Sequence, residues 1–177
     1  MTDFLQKNYF ELFDLPVQFE LSPKDLRTRY RNLQSAVHPD NYVGGTAQER
    51  RLAVQISAQI NHAYLTLKDP LQRGRYLLSL FSTEVSEPAH TVQDSELLIE
   101  QMLLREEFDE IKEITPLDIN HLTIFIDKIE SRQQTILADL STCFQHIDTA
   151  DNMKVAGDLL DKYQFFSKLY DEVSELI

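Results

Sequence analysis

Apolar residues return every three or four positions along most of the chain, and short polar or proline-containing stretches divide the repeats into separate runs. "NYFELFDLP" (8–16) predicts one or two helical turns stopped by Pro16. In "LSPKDLRTRYRNLQSAV" (21–37), Ser22 can cap a helix, Pro23 suits its first position, and Asp25 stands three residues after the cap. A helix should therefore start near residue 23, with Leu26, Tyr30, Leu33 and Val37 on one stripe. Lys24, Arg27 and Arg31 fall on roughly the opposite side, with Arg29 on a flank. The pattern breaks at His38, because a residue before proline is pushed out of the α region, and Gly44 and Gly45 prolong the break. A second long run, "QERRLAVQISAQINHAYLTLKD" (48–69), places Leu52, Ile56, Ile60, Ala63 and Leu67 on one stripe. Two antiparallel helices joined by an exposed loop is the simplest arrangement, and "PLQRGRYLLSLF" (70–81) adds a further short helix.

"STEVSEPAHTVQ" (82–93) has no helical period and reads as a linker between two modules. Beyond it, residues 94–114 form a strong helical pattern, followed by 116–147, carrying Leu122, Phe125, Ile129, Ile136 and Leu140. A last pattern over 151–176 carries Leu159, Tyr163, Phe166, Tyr170 and Val173, so the second module reads as a three-helix bundle over 94–177. Its first helix has more apolar residues than one face can hold. Leu97, Leu104, Phe108 and Ile111 lie within roughly 60° of one another, at about 100° per residue, and should face the bundle. Leu98 and Met102 point away from that line, with Ile99 and Leu103 beyond them, and Phe165 lies off the main stripe of the last helix. Two readings stay open here: a wide core face, or an exposed apolar patch that binds a partner.

Composition narrows the choices. Only 4 Gly and 6 Pro in 177 residues favour an all-α protein. A net charge of -12 argues against general nucleic-acid binding. The charge is uneven, with 10 Lys/Arg against 10 Asp/Glu in residues 1–90 and 7 against 19 in residues 91–177. Cys143 stands alone, so no intramolecular disulfide or CxxC zinc pair is available, and on its apolar helix face it is most simply a buried packing residue. No secretory leader and no run of about 18 apolar residues is present, which predicts a cytoplasmic protein with no membrane segment. His38 and Asp40 could orient each other for base chemistry, but no phosphate loop, nucleophile elbow or HExxH helix accompanies them. As metal ligands they supply two at most, and His62, His90, His121 and His146 stand in no ligand-like spacing with them. A metal site, a resident cofactor and an enzyme activity are all disfavoured.

The tripeptide His38-Pro39-Asp40, set between a basic helix and "INHAYLTLKDPLQRGRY" (60–76), resembles the J-domain by which J-proteins engage DnaK-type chaperones. "NYFELF", the tripeptide, the "INxAY" segment and the "DPxxR" turn occur in the J-domain order and spacing. "HTVQDSELLIEQMLLREEFDEI" (90–111) is similar to the C-terminal domain of the HscB family, J-proteins of iron–sulfur cluster assembly, so the resemblance covers nearly the whole chain. It implies a J-domain over 1–81 that contacts an HscA/DnaK-type chaperone through His38, Pro39 and Asp40, with Arg27, Arg29 and Arg31 supplying positive charge. It implies that Leu98, Ile99, Met102 and Phe165, with Glu106 on the rim, bind an IscU-type scaffold protein. Leu103 stands where relatives can carry Glu and widens the apolar patch. Val37 replaces the Tyr usual before the tripeptide, and Asn41 a frequent basic residue. The zinc-binding cysteines of some mitochondrial relatives are absent, which points to a bacterial protein. Two rivals are a J-protein with a different client and a scaffold-binding protein with an inactive J-domain; a hydrolytic or metal-dependent enzyme is a distant third.

Overall fold

The computed structural model describes residues 6–37, 44–81, 95–114, 118–147 and 149–176, and every regular element among them is a helix. In chain order these are α1 (Tyr9–Leu12), α2 (Pro23–Val37), α3 (Ala47–Lys68), α4 (Pro70–Phe81), α5 (Ser95–Glu113), α6 (Ile119–Phe144) and α7 (Ala150–Ser174). The all-α expectation holds. The chain divides into two compact units, Met1–Ser79 and Leu80–Ile177. The sequence-read linker 82–93 lies outside the described residues.

In the first unit each helix start has a chemical cause. Asn8 caps α1, accepting from the Glu11 amide at 2.9 Å while the Glu11 carboxylate accepts from the Asn8 amide at 3.0 Å. Ser22 Oγ accepts from the Asp25 amide at 3.3 Å at the head of α2, where the sequence placed the cap. Thr46 and Glu49 build the same reciprocal box at α3. Asp69 Oδ1 accepts from the Gln72 amide at 2.8 Å to start α4. The core between these helices is Phe10, Phe13, Ile56, Ile60, Leu67 and Leu77, all fully buried.

Helices α2 and α3 run antiparallel, as their polar clasp shows. Tyr30 Oη donates to Asn61 Oδ1 at 2.8 Å, and one turn further along α2 Gln34 accepts from Ser57 Oγ at 3.1 Å, one turn back along α3. Asn61 also accepts from Gln34 Nε2, and Tyr30 stacks on Tyr64 with centroids 4.1 Å apart. The segment "INxAY" is thereby explained: Asn61 holds the clasp, Ala63 lets the helices approach, and Tyr64 covers Tyr30. The "DPxxR" turn is explained too. Asp69 caps, Pro70 begins α4, and Arg73 donates to the Leu67 carbonyl at 2.6 Å while lying 5.0 Å from the Phe19 ring centroid.

The second unit is a three-helix bundle in which α6 and α7 make the closest pair and α5 packs against both. Leu97, Leu104, Phe108 and Ile111 of α5 face inward, as their spacing predicts, and so do Leu122, Phe125, Ile129, Ile136 and Leu140 of α6. Phe108 stacks on Phe125 at 5.9 Å. The stripe read for α7 needs correction. Phe166 and Val173 are buried, but their companions are Ala156, Leu160 and Leu169, while Leu159, Tyr163 and Tyr170 stay half-buried. Tyrosine hydroxyls favour the edge of a core, which accounts for Tyr163 and Tyr170, and Ala156 is fully buried. Cys143 is also corrected, being half-buried rather than buried. Its thiol donates to the Asn152 carbonyl at 3.2 Å, and burial pushes its pKa up, which keeps it protonated.

Asn61→Ala removes one oxygen shared by two donors at an exposed clasp, and should cost about 1 kcal/mol in denaturant unfolding. Leu67→Ala, a fully buried truncation, should cost about 3 kcal/mol. Equal effects of Asn61→Ala and the exposed Leu65→Ala would mean that the clasp adds nothing. The Thr46 backbone amide and hydroxyl hold the Glu49 carboxylate below its ordinary pKa. A lowered folded pKa contributes stability that is present above the unfolded value of about 4.3 and is lost as pH falls through the folded one. Glu49→Gln should therefore flatten the acid limb of the stability–pH curve, and an unchanged slope between pH 5 and 3 would contradict this.

Candidate functional site

Two surfaces follow from this fold, one on each unit. On the first, the sequence-predicted basic helix face survives in part. Arg27 and Arg31 are exposed on α2, as is Lys24. Arg29 has another task. Its Nη1 donates to the Phe13 and Asp14 carbonyls at 3.0 and 2.7 Å and to Asp14 Oδ2 at 2.8 Å. Asp14 sits at φ 52°, a left-handed conformation that aspartate tolerates better than most residues. Arg29 thus neutralises the carbonyl end of α1, where a cation is favourable, and ties α2 to the turn after it. That role was not legible in the spacing, because the turn's carbonyls have no sequence signature. His38, Pro39 and Asp40 lie outside the described residues, as does Asn41, while Val37 is buried at the end of α2.

On the second unit, the inward line of α5 leaves four large apolar side chains outside. Leu98, Ile99, Met102 and Leu103 are 49%, 58%, 63% and 59% exposed, so the wide-core reading fails for them and they form an uncovered face. Glu106 is exposed one turn further along the same side. Phe165, on α7, is half-buried rather than packed in the core.

Charged pairs fix where this face lies. Arg132 of α6 grips Glu100 of α5 through two bonds, at 2.9 and 3.0 Å, and Lys128 donates to Glu107 at 2.6 Å. These pairs run along the α6 flank of α5 and show the two helices antiparallel. On the other flank Arg105 grips Glu172 of α7 through both carboxylate oxygens, the Nη2–Oε1 bond at 3.0 Å. The hydrogen bond from Arg105 holds Glu172 below the usual carboxylate pKa, and Glu172 in turn raises that of Arg105. The Arg105 guanidinium also lies 5.9 Å from the Phe165 ring centroid. Arg105 and Glu172 escaped the sequence reading because a pair 67 positions apart is set by tertiary register and has no local pattern.

Among the described residues no group of three or more His, Cys, Asp or Glu side chains could hold a metal ion, and no helix is long and apolar enough to cross a membrane. An exposed apolar face beside charged pairs is suited to contact with another macromolecule.

Comparisons with known proteins point the same way. Residues 93–174 match the family described as the HSCB C-terminal oligomerisation domain. The chain is 41% identical over 169 residues to the co-chaperone protein HscB homolog of Vibrio cholerae, covering 96% of each. It is 38% identical to that of Shewanella pealeana over the same shares. The structure of chaperone HscB from Vibrio cholerae superposes with a TM-score of 0.84 at 40% identity, covering 96% of this chain and 97% of that one. Human co-chaperone protein HscB superposes with a TM-score of 0.83 at 28% identity, covering 96% and 81%. The two helical units and these relatives together establish that the chain belongs to the HscB family of J-domain co-chaperones.

Proposed function

We propose that the chain delivers an IscU-type scaffold protein to an HscA/DnaK-type chaperone and stimulates ATP hydrolysis there, in support of iron–sulfur protein maturation in a bacterial cytoplasm. The observation that carries the reading is the uncovered face of Leu98, Ile99, Met102 and Leu103 on α5. The bundle fills its own core without these side chains, and they sit where the family resemblance puts the scaffold contact. In the first unit, Arg27 and Arg31 supply the positive surface, His38, Pro39 and Asp40 supply the specific contact, and Arg29 acts mainly as a structural tie. Arginines steer an acidic partner into place, and Asp40 can accept charge-assisted hydrogen bonds. The chain carries out no reaction itself. It favours the hydrolysis-competent state of the chaperone by binding that state better than the alternative. Holding both partners at once makes delivery effectively intramolecular, so each interface can be weak.

One observation favours a second use of the apolar face: the matched family's description as an oligomerisation domain. In that reading Leu98 and Met102 would meet a second copy.

In single-turnover assays with the chaperone, His38→Gln should abolish the stimulation of hydrolysis that the parent chain gives. Stimulation equal to the parent's would remove the J-domain mechanism. Leu98→Ala combined with Phe165→Ala should weaken scaffold binding, measured by titration calorimetry, by about 2 to 4 kcal/mol. Unchanged affinity, together with loss of a parent dimer in sedimentation, would instead assign the face to self-association.

A further inference from the structure

The ion pairs flanking α5 do more than hold a bundle together. Arg132 lies 6.0 Å from the Phe166 ring centroid, Phe166 meets Phe165 edge to face at 5.3 Å, and Arg105 lies 5.9 Å from Phe165. Each arginine is meanwhile gripped by a carboxylate of a different helix, Glu100 for Arg132 and Glu172 for Arg105. A ladder of arginine, phenylalanine, phenylalanine and arginine thus runs from α6 through α7 to α5. Its inner phenylalanine is in the core at 1% exposure, and its outer one, Phe165, emerges half-buried at the edge of α7.

Arg105 stands three residues after Met102 and seven after Leu98, so its stem leaves α5 on the flank that those side chains share. Its bidentate bond to Glu172 needs the planar fork of arginine, and that fork is what lies against Phe165. On the reading that the α5 face binds the scaffold, we infer that Arg105, locked by Glu172, is the positioning residue that holds Phe165 of α7 beside Leu98 and Met102 of α5. Without it the surface is two separate elements: a fixed apolar face on α5 and a ring on α7 with rotameric freedom. With it the ring is ordered before the partner arrives, which spares the entropy of ordering it on binding.

The test is a double-mutant cycle read in scaffold affinity and in thermal unfolding, using the full chain and purified IscU-type scaffold. Arg105→Met should weaken binding about three- to fivefold, the size of one exposed cation–π contact. In a Phe165→Ala background the same substitution should change affinity by less than about twofold, because the ring that Arg105 positions is gone. Arg105→Lys keeps a cation for Glu172 without the planar fork, so it should keep the melting temperature close to the parent's and still lose affinity. Equal losses from Arg105→Met in both backgrounds, or a loss in Arg105→Lys only in proportion to a lowered melting temperature, would reduce Arg105 to a structural brace and overturn the inference. Leu98→Ala separates the two levels. If it weakens binding while Arg105→Met does not, the positioning role fails and the scaffold surface stands; if neither weakens it, the surface itself is wrong.

Discussion

A helix packed against two neighbours has one inward sector, and in α5 that sector is full. Leu97, Leu104, Phe108 and Ile111 occupy it at exposures of 0 to 4%, and the flanks are closed by Glu100 and Glu107 toward α6 and by Arg105 toward α7. Any further apolar residue on α5 has nowhere to go but outward. Four such residues leave water-exposed hydrocarbon that folding does not need, and covering each with a partner recovers on the order of 1 kcal/mol. Association and side-chain ordering take back a large share of that gain, so the face by itself suits a transient contact.

The first unit divides its motif residues differently. "INxAY" and "DPxxR" are read by the fold, since Asn61 clasps α2 to α3, Asp69 caps α4, and Arg73 fastens the end of α3. Arg29 joins this structural group by anchoring the end of α1. Of the three arginines that the resemblance assigns to the chaperone contact, Arg29 is thus the one with a structural task, while Arg27 and Arg31 stand exposed on α2. The clasp sets the relative position of α2 and α3.

Helical periodicity made the six long and medium helices legible, with the core lines of α5 and α6 correct to the residue, because burial on a regular cylinder is a matter of angle alone. The cap at Ser22 was legible for a similarly local reason. The stripe of α7 was not. Its sequence offers more apolar and aromatic positions than one sector holds, so spacing alone did not separate Leu160 from Leu159 or Leu169 from Tyr170. The apolar excess on α5 was visible as a surplus, but spacing could not separate a wide core from an exposed face; packing decided it. Pairs such as Arg105 with Glu172 and Arg29 with Asp14 depend on register between distant segments, which no local pattern encodes.

The charge of the second unit bears on what can cover the α5 face. Residues 91–177 carry 19 Asp/Glu against 7 Lys/Arg, and Arg105, Lys112, Lys128 and Arg132 already lie in ion pairs with neighbouring carboxylates. Exposed Glu106 and Glu110 therefore border the apolar residues with few cations left to offset them. Two copies meeting through this face would bring those acids together as their hydrocarbon was buried, and desolvated like charges oppose such a contact more strongly than they do in water. A partner presenting lysine or arginine around an apolar anchor meets the reverse situation, gaining attraction as water leaves. The apolar surplus of α5 makes the face adhesive, and its acidic border restricts what it adheres to.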